Sequence, residues 1–211
     1  MISIDLPDIP RWVEAHGIAG DRDGWRVELG DGFAVGHDPM RLIVIAGEAD
    51  PEAVMQLVDA RPGYTFLAAT EYAFRTRYRA ILHILPEPDA LPELDGALPL
   101  PADVALPEPL AGELAWARTR GAIWSAWIDG AAVAFAYAPW RSAKYFDVSV
   151  DVVPEARQLG LATLVASAMI RDERAHGREP VWGADEGNAA SQRLARRLGF
   201  EPVDELWVAP P

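Results

Sequence analysis

The richest chemical content in this 211-residue chain lies in residues 150–163, VDVVPEARQLGLAT. A strand pattern runs into Pro154, a turn follows, and Arg157-Gln158-Leu159-Gly160-Leu161-Ala162 opens a helix. The backbone N–H groups of a first helical turn have no partner inside the helix, and the helix dipole makes that end electropositive. Gly160 and Ala162 lack bulk, so a diphosphate can come close to the backbone, and Arg157 adds a fixed positive charge. Physically this is an anion cradle. Arg-x-x-Gly-x-Ala is nevertheless a weak motif alone, since an ordinary glycine-containing strand-to-helix turn reads the same way.

The strand that leads into the cradle, over 145–153, alternates with period two. Tyr145, Asp147, Ser149 and Asp151 fall on one face and Phe146, Val148, Val150 and Val152 on the other. Two carboxylates therefore share a polar face beside the cradle. They either do chemistry there, or solvate an exposed surface and pair with Arg141 or Lys144.

Other elements must hold this segment in place. Upstream, 123–128 and 132–137 read as strands joined by Asp129-Gly130, a strong hairpin signal, and 110–118 as a helix. Downstream, the helix continues to about His176, with Leu161, Leu164, Val165, Ala168 and Met169 on its buried side. A short strand over 180–184 leads to a helix capped by Asn188 and closed by Gly199. In the N-terminal half, RLIVIA (41–46) is a buried strand, and Asp50-Pro51 caps a helix that Arg61-Pro62-Gly63 stops. Strands follow at 64–68 and 80–85, with a short helix expected over 71–78 between them. That half holds no chemical motif, and no internal sequence repeat is visible. Between the halves, 86–109 carries seven prolines in 24 residues and should be extended and irregular. The expected division is a small α/β region over 1–85, a proline-rich linker over 86–109 and the chemistry-bearing domain over 110–211.

Composition excludes several classes. No cysteine is present, which removes disulfide scaffolds, cysteine-ligated zinc, iron–sulfur clusters and thiol catalysis. The net charge is −13, so a phosphate backbone or anionic membrane is repelled; neither nucleic acid nor membrane is expected as a partner. The acidity is concentrated up to Pro109, with 8 basic against 19 acidic residues. The rest of the chain keeps enough arginine to meet an anion, although a merely solubilising surface would look alike. His16, His37, His83 and His176 show no metal-like spacing, and no metal is expected. His83 in AILHIL reads as a core or edge residue. Most tryptophans read as core, with Trp140 able to line a pocket. With no long apolar run and no secretory signal, the expectation is a soluble cytoplasmic protein.

Over about 113–206 the chain resembles the GNAT superfamily of acyl-CoA-dependent N-acetyltransferases. VVPEARQLGLA matches the family's strand, proline and Arg/Gln-x-x-Gly-x-Gly/Ala pattern. Some 25 residues on, VWGADEGNAASQRLARRLGF matches its second signature, a strand, an asparagine and a terminal Leu-Gly-Phe. The resemblance implies an α/β (mixed α+β) GNAT fold, with a central, mostly antiparallel sheet flanked by helices and the small N-terminal α/β region added. It implies acetyl-CoA as co-substrate and an amine acceptor; a homodimer is compatible with it. The backbone of Val152 and Val153 would pair with the pantetheine arm. The amides of Arg157, Gln158, Leu159, Gly160, Leu161, Ala162 and Thr163 would hold the pyrophosphate. Asn188 would reach the pantetheine or thioester region as well as capping its helix. Arg193, Arg196 and Arg197 fit a solvated helix face better than a 3′-phosphate site.

The resemblance has a gap. Relatives that use a tyrosine as general acid place it seven residues after this asparagine, where the present chain has Ala195. Water, Ser191 or no group at all would then serve the leaving thiolate. For the base, an amine arriving as ammonium must lose a proton, and Asp147 is the first choice with Asp151 second; like charges on alternate residues can raise one pKa. The implied function is acetyl transfer from acetyl-CoA to a primary amine of a small molecule, by direct attack in a ternary complex. Two readings compete with it: a non-catalytic acyl-CoA-binding module, which Ala195 favours, and a protein–protein interaction domain with an empty cradle.

Overall fold

The segment 145–152, one strand by its alternation, is shared between two sheets, and that division organises the structure. The computed structural model describes residues 2–211. In chain order the elements are α1 (Val13–Gly20), β1 (Gly24–His37), β2 (Leu42–Ala49), α2 (Pro51–Ala60), β3 (Thr65–Ala68), β4 (Tyr78–Ile84), β5 (Leu98–Pro99) and α3 (Ala111–Arg118). They continue with β6 (Trp124–Ile128), β7 (Ala131–Tyr137), β8 (Tyr145–Asp147), β9 (Ser149–Val152), α4 (Leu161–Ala175), β10 (Glu179–Asp185), α5 (Ala189–Arg197) and β11 (Glu201–Ala209). One sheet has the order β1-β2-β3-β11-β4-β10-β8 and the other β5-β6-β7-β9. Most pairings are antiparallel; β2–β3 and β8–β10 are parallel. This is the expected mixed α+β fold. Among the described residues, no helix is long and apolar enough to cross a membrane.

Local chemistry sets the boundaries. Asp129 and Gly130 both take positive φ (49° and 81°), the turn that suits the twist of the β6–β7 hairpin. Asp50 accepts a hydrogen bond from Glu52 N–H at 3.2 Å to cap α2, with Pro51 at its first position. Asn188 Oδ1 accepts from Ser191 N–H at 3.0 Å, and Gly199 closes α5 at φ 91°. The helix expected over 71–78 does not form: Tyr72 and Phe74, two residues apart, both drive into the cluster around Phe66, a spacing an extended chain satisfies and a helix does not. The single strand expected over 145–153 is broken at Val148, where β8 pairs with β10 and β9 leaves to pair with β7.

The alternation expected on this segment is kept through the break. Phe146, Val148, Val150 and Val152 pack toward Val165, Met169 and Ile170 of α4, with Ala134 and Ala136 from β7. The opposite face carries Phe135 and Tyr137 under Leu114 and Ala117 of α3. Truncating a buried residue such as Ile170 to alanine would cost about 2–5 kcal/mol.

The topology repeats although the sequence does not. Strand β2 runs through α2 into a parallel β3; β8–β9 runs through α4 into a parallel β10. Each unit then sends its last strand across to the other: β4 pairs antiparallel with β10, and β11 with β3. The exchanged strands meet antiparallel at the sheet centre, with a bulge between Pro202 and Asp204. His83 lies on β4 within this centre, buried, its Nδ1–H donating to the carbonyl of Trp182 at 3.1 Å.

Candidate active site

After Val152 the chain makes one short turn of 3-10 helix, Pro154–Ala156, and then curls through Gln158 (φ 66°) and Gly160 (φ 80°) into α4. Gly160 has open space around it, so its backbone angle and not crowding calls for glycine. Gln158 holds the same left-handed region without that freedom, which costs roughly 1–2 kcal/mol. Two left-handed residues with one residue between them turn nearby N–H groups toward a common point. Arg157 N–H donates to Pro154 O and Thr163 N–H to Gly160 O. Among the described residues, the N–H groups of Gln158, Leu159, Gly160, Leu161 and Ala162 find no well-formed internal acceptor. Five free donors at a helix N-terminus form an anion-binding concavity.

This concavity is one end of a cleft of about 680 Å³ between the splayed strands β9 and β10. Asp151, Val152, Arg157, Gln158 and Gly160 line one wall, continued by Leu161, Ala162 and Thr163. Asn188, Ser191, Arg193 and Arg197 line the other from α5. Arg196 lies off the cleft, and Leu159 is exposed and does not line it. Asn188 spends its carbonyl oxygen on the helix cap. Ser191 Oγ accepts from Trp182 Nε1 at 2.9 Å, which leaves its own proton free. Ala195 is fully buried in the core and offers the cleft nothing.

The backbone places Val153 differently from the expectation. Its N–H donates to Val133 O at 2.9 Å, so that donor is taken, while its carbonyl accepts from Ala156 N–H and keeps one lone pair. Backbone direction alternates along a strand, and Val148 N–H donates to Val181 O on the β10 side. The open edge in the splay therefore belongs to Val150 and Val152. The Val153 amide, expected beside Val152 on the open edge, points instead to β7, because successive residues of a strand face opposite edges.

Asp147 and Asp151 share the face opposite α4, as the alternation requires, but they meet different surroundings. Asp151 borders the cleft, whereas Asp147 sits in a recess beneath α1 and α3. Burial pushes the Asp147 carboxyl well up toward neutrality, against its hydrogen bond with the Val148 amide and with help from the nearby Glu113 charge. Glu14 on α1 is also raised, by burial first and by Asp147 second. Tyr137 OH lies 2.6 Å from Glu113 Oε1 and 2.8 Å from Asp151 Oδ2. A phenol has one proton for two acceptors, so it donates to one of these carboxylates at a time. Burial and the two acids push the phenol far upward, which keeps Tyr137 protonated.

Glu14, Glu113 and Tyr137 were not singled out from the sequence. Tyr137 was legible only as a strand residue; its period-two partnership with the 145–153 face was the available signal. Glu14 comes from a helix whose residues Val13, Ala15, Gly17, Ile18 and Ala19 are all buried, leaving no apolar stripe to reveal it. A second cluster, Asp21, Asp23 and His37, brings potential ligand atoms within 4.8 Å of one another. Its chemistry is already committed: Asp21 pairs with Arg120, and His37 Nδ1 accepts from Met40 N–H while Nε2 faces Asp21 at 3.5 Å.

Residues 120–208 match the family model described as GNAT acetyltransferase. Over that segment, somewhat under half of its length, the chain is similar to that family. Its two signatures form the opposing walls of the cleft, one at the β9–α4 turn and one on α5. The GNAT fold extends beyond the matched segment. A GNAT-family protein from Novosphingobium aromaticivorans superposes at TM-score 0.68 with 23% identity, over 95% of each chain. A GCN5-related N-acetyltransferase-like protein from Streptococcus suis gives 0.72 with 16% identity, over 97% of this chain and 94% of its own. A GCN5-related N-acetyltransferase from Kribbella flavida gives 0.61 with 18% identity, over 95% and 94%. These likenesses include the N-terminal half and concern the fold alone. No curated protein matches the chain in sequence.

Proposed function

We propose that this protein transfers an acetyl group from acetyl-CoA to a primary amine of a small molecule, by direct attack in a ternary complex. The observation that carries the reading is the run of five unclaimed amides over 158–162, four of them from residues lining one end of the β9–β10 cleft. They suit a pyrophosphate in number, polarity and access, and Arg157 adds charge at the rim. The open edge of Val150 and Val152 suits an amide-bearing arm lying along the splay. Acetyl-CoA supplies the activated acyl carbon.

The chain's own groups then handle protons and charge. The acceptor's ammonium loses one proton to Asp147, directly or through water, and the freed nitrogen attacks the acyl carbon. An N–C bond forms, the C–S bond breaks, and the second proton shed by the nitrogen passes through water to the leaving thiolate, giving amide and free thiol. Strand amides in the splay stabilise the oxygen as it becomes negative. Because the Asp147 carboxyl is raised toward neutrality, it accepts a proton better than an ordinary aspartate and returns it more easily. The rate should climb with pH until this carboxyl is ionised.

Ala195 favours a second reading, an acyl-CoA-binding module without transfer chemistry, because α5 brings no phenol to the leaving sulfur. One experiment separates the readings: calorimetric titration with acetyl-CoA, followed by thiol release with a panel of amines. Binding that weakens about tenfold in Arg157→Ala, as expected for one charge-assisted contact, supports the cradle. Thiol release then supports the enzyme, and its absence with every amine supports the binding module. No binding at all overturns both.

A further inference from the structure

A second cavity, of about 510 Å³, lies at the end of the central sheet where β8 and β10 begin and β4 runs out. That volume falls in the ordinary range of small-molecule sites. The cavity shares no residue with the β9–β10 cleft: on β10 it takes Glu179 and Pro180, whereas the cleft takes Trp182 and Gly183. The transfer chemistry makes no use of it. Its walls have local causes. The bulge in β11 inserts Val203 between residues paired with β4, and this side chain stands 49% exposed on one wall. Pro10, Pro86 and Pro180 arrive from three separate segments and line it together with Leu85. Proline brings no N–H, so these walls are apolar and poor in backbone donors.

The charged side chains of the cavity set the sign of what fits it. Glu179 Oε2 accepts from Arg174 Nε at 3.2 Å, and Asp204 Oδ2 from Arg11 Nε at 2.6 Å, so both carboxylates are already matched. Lys144 is the only lysine of the chain, and among the described residues its ammonium makes no ion pair. It stands 4.9 Å from the centre of the Tyr145 ring. Hydrogen bonding with Tyr145, helped by the charges of Asp8 and Glu179, holds this ammonium above the ordinary lysine range. Asp8 lies outside the cavity and spends Oδ2 on the Lys144 backbone amide at 2.9 Å. One cation with a phenol beside it is therefore the charge left over against apolar walls.

We propose that this cavity is a second small-molecule site and that it takes an apolar monocarboxylate, its carboxylate on Lys144 and its hydrocarbon part on the wall of Pro10, Pro86, Pro180 and Val203. The proposal goes beyond the transferase reading and does not rest on it. Charge complementarity selects the head group, since a cation of the same shape would meet Lys144 and find Glu179 and Asp204 already engaged. The donor-poor walls select the tail, because a polar body would lose its water there without gaining partners.

The probe is hexanoate, titrated calorimetrically into the full chain, with hexylammonium as the charge-reversed control. Hexanoate should bind saturably with a Kd of about 1 mM or below, and hexylammonium should not. Lys144→Gln should weaken hexanoate by about tenfold, and Lys144→Arg should keep most of the affinity. Val203→Asp, a change at an exposed residue, should weaken it by a similar factor, whereas Arg157→Ala in the cleft should leave it unchanged. Because the chain has one lysine, reductive ¹³C-methylation of Lys144 gives a single side-chain signal, which should shift with hexanoate in step with the calorimetry. Absence of saturable binding, equal binding of hexylammonium, or an affinity untouched by Lys144→Gln or by Val203→Asp overturns the proposal. Weakening by Arg157→Ala would put hexanoate in the cleft and overturn it as well. If acetyl-CoA fails to bind, the transferase reading falls and this titration still decides the second site.

Discussion

Helices α2 and α4 occupy equivalent places in the repeated topology, each leaving one strand and leading to a parallel one, yet their first turns are chemical opposites. At α2 the cap is Asp50, followed by Pro51 and Glu52: the helix satisfies its own N-terminus and adds negative charge to it. At α4 the same three positions are Gly160, Leu161 and Ala162, and no side chain caps the helix. One terminus is finished, and the other keeps its donors open. The lesson is that topology supplies two helix ends of equal potential, and three residues decide which keeps its amides unclaimed.

Transplanting those residues is the strongest way to break the contrast. A Gly160→Asp, Ala162→Glu double variant gives α4 the closure of α2. Acetyl-CoA affinity by calorimetry should fall by about 100-fold, through lost amide contacts and repulsion of the phosphates. Retained affinity would mean that the α4 terminus is not where the nucleotide end binds.

The acidic recess that α1 completes offers a second test, through pH. Glu14 and Asp147 titrate higher in the folded protein than in the unfolded chain, so the folded state holds more protons across the interval between the two ranges. Stability from this pair therefore falls as pH rises, from about pH 5 toward about pH 8. Glu14→Gln should flatten that fall in a series of Tm measurements and leave the acid end almost unchanged. A steeper fall in the variant would contradict the assignment of charge in the recess.

The smallest effect comes from the other helix end. Asp50→Ala removes the α2 cap at a cost of about 1 kcal/mol, a Tm decrease of roughly 2–4 °C for a chain of this size. Acetyl-CoA binding should stay as it is. If uncapping α2 created a second binding stoichiometry, the distinction between the two turns would rest on the cap alone.

The features that the sequence revealed are those with local causes. A residue pair with positive φ announced the β6–β7 hairpin, Asp50 and Asn188 announced their helices, and period two announced the shared face of Asp147 and Asp151. The cradle was legible because its donors, its glycine and its arginine are neighbours in sequence. Pairing between distant strands has no such signature, so nothing in 78–84 shows that β4 will lie between β10 and β11. Glycines hid β1: Gly36 lies under the Trp25 ring and Gly32 against Ala46 and Ala49, positions that read as turns until the neighbours are known. Glu14 was hidden in the same way, since its helix is enclosed on nearly every side.

The exchange of β4 and β11 makes the two halves complements and not modules. Each half alone would be a sheet missing a strand, with an exposed edge where its partner's strand belongs. A single cut in the proline-rich connector should therefore leave two polypeptides clasped together, travelling as one particle until denatured. The clasp also means that the acidic cluster beneath α1 and the turn that opens α4 should melt as a single cooperative unit.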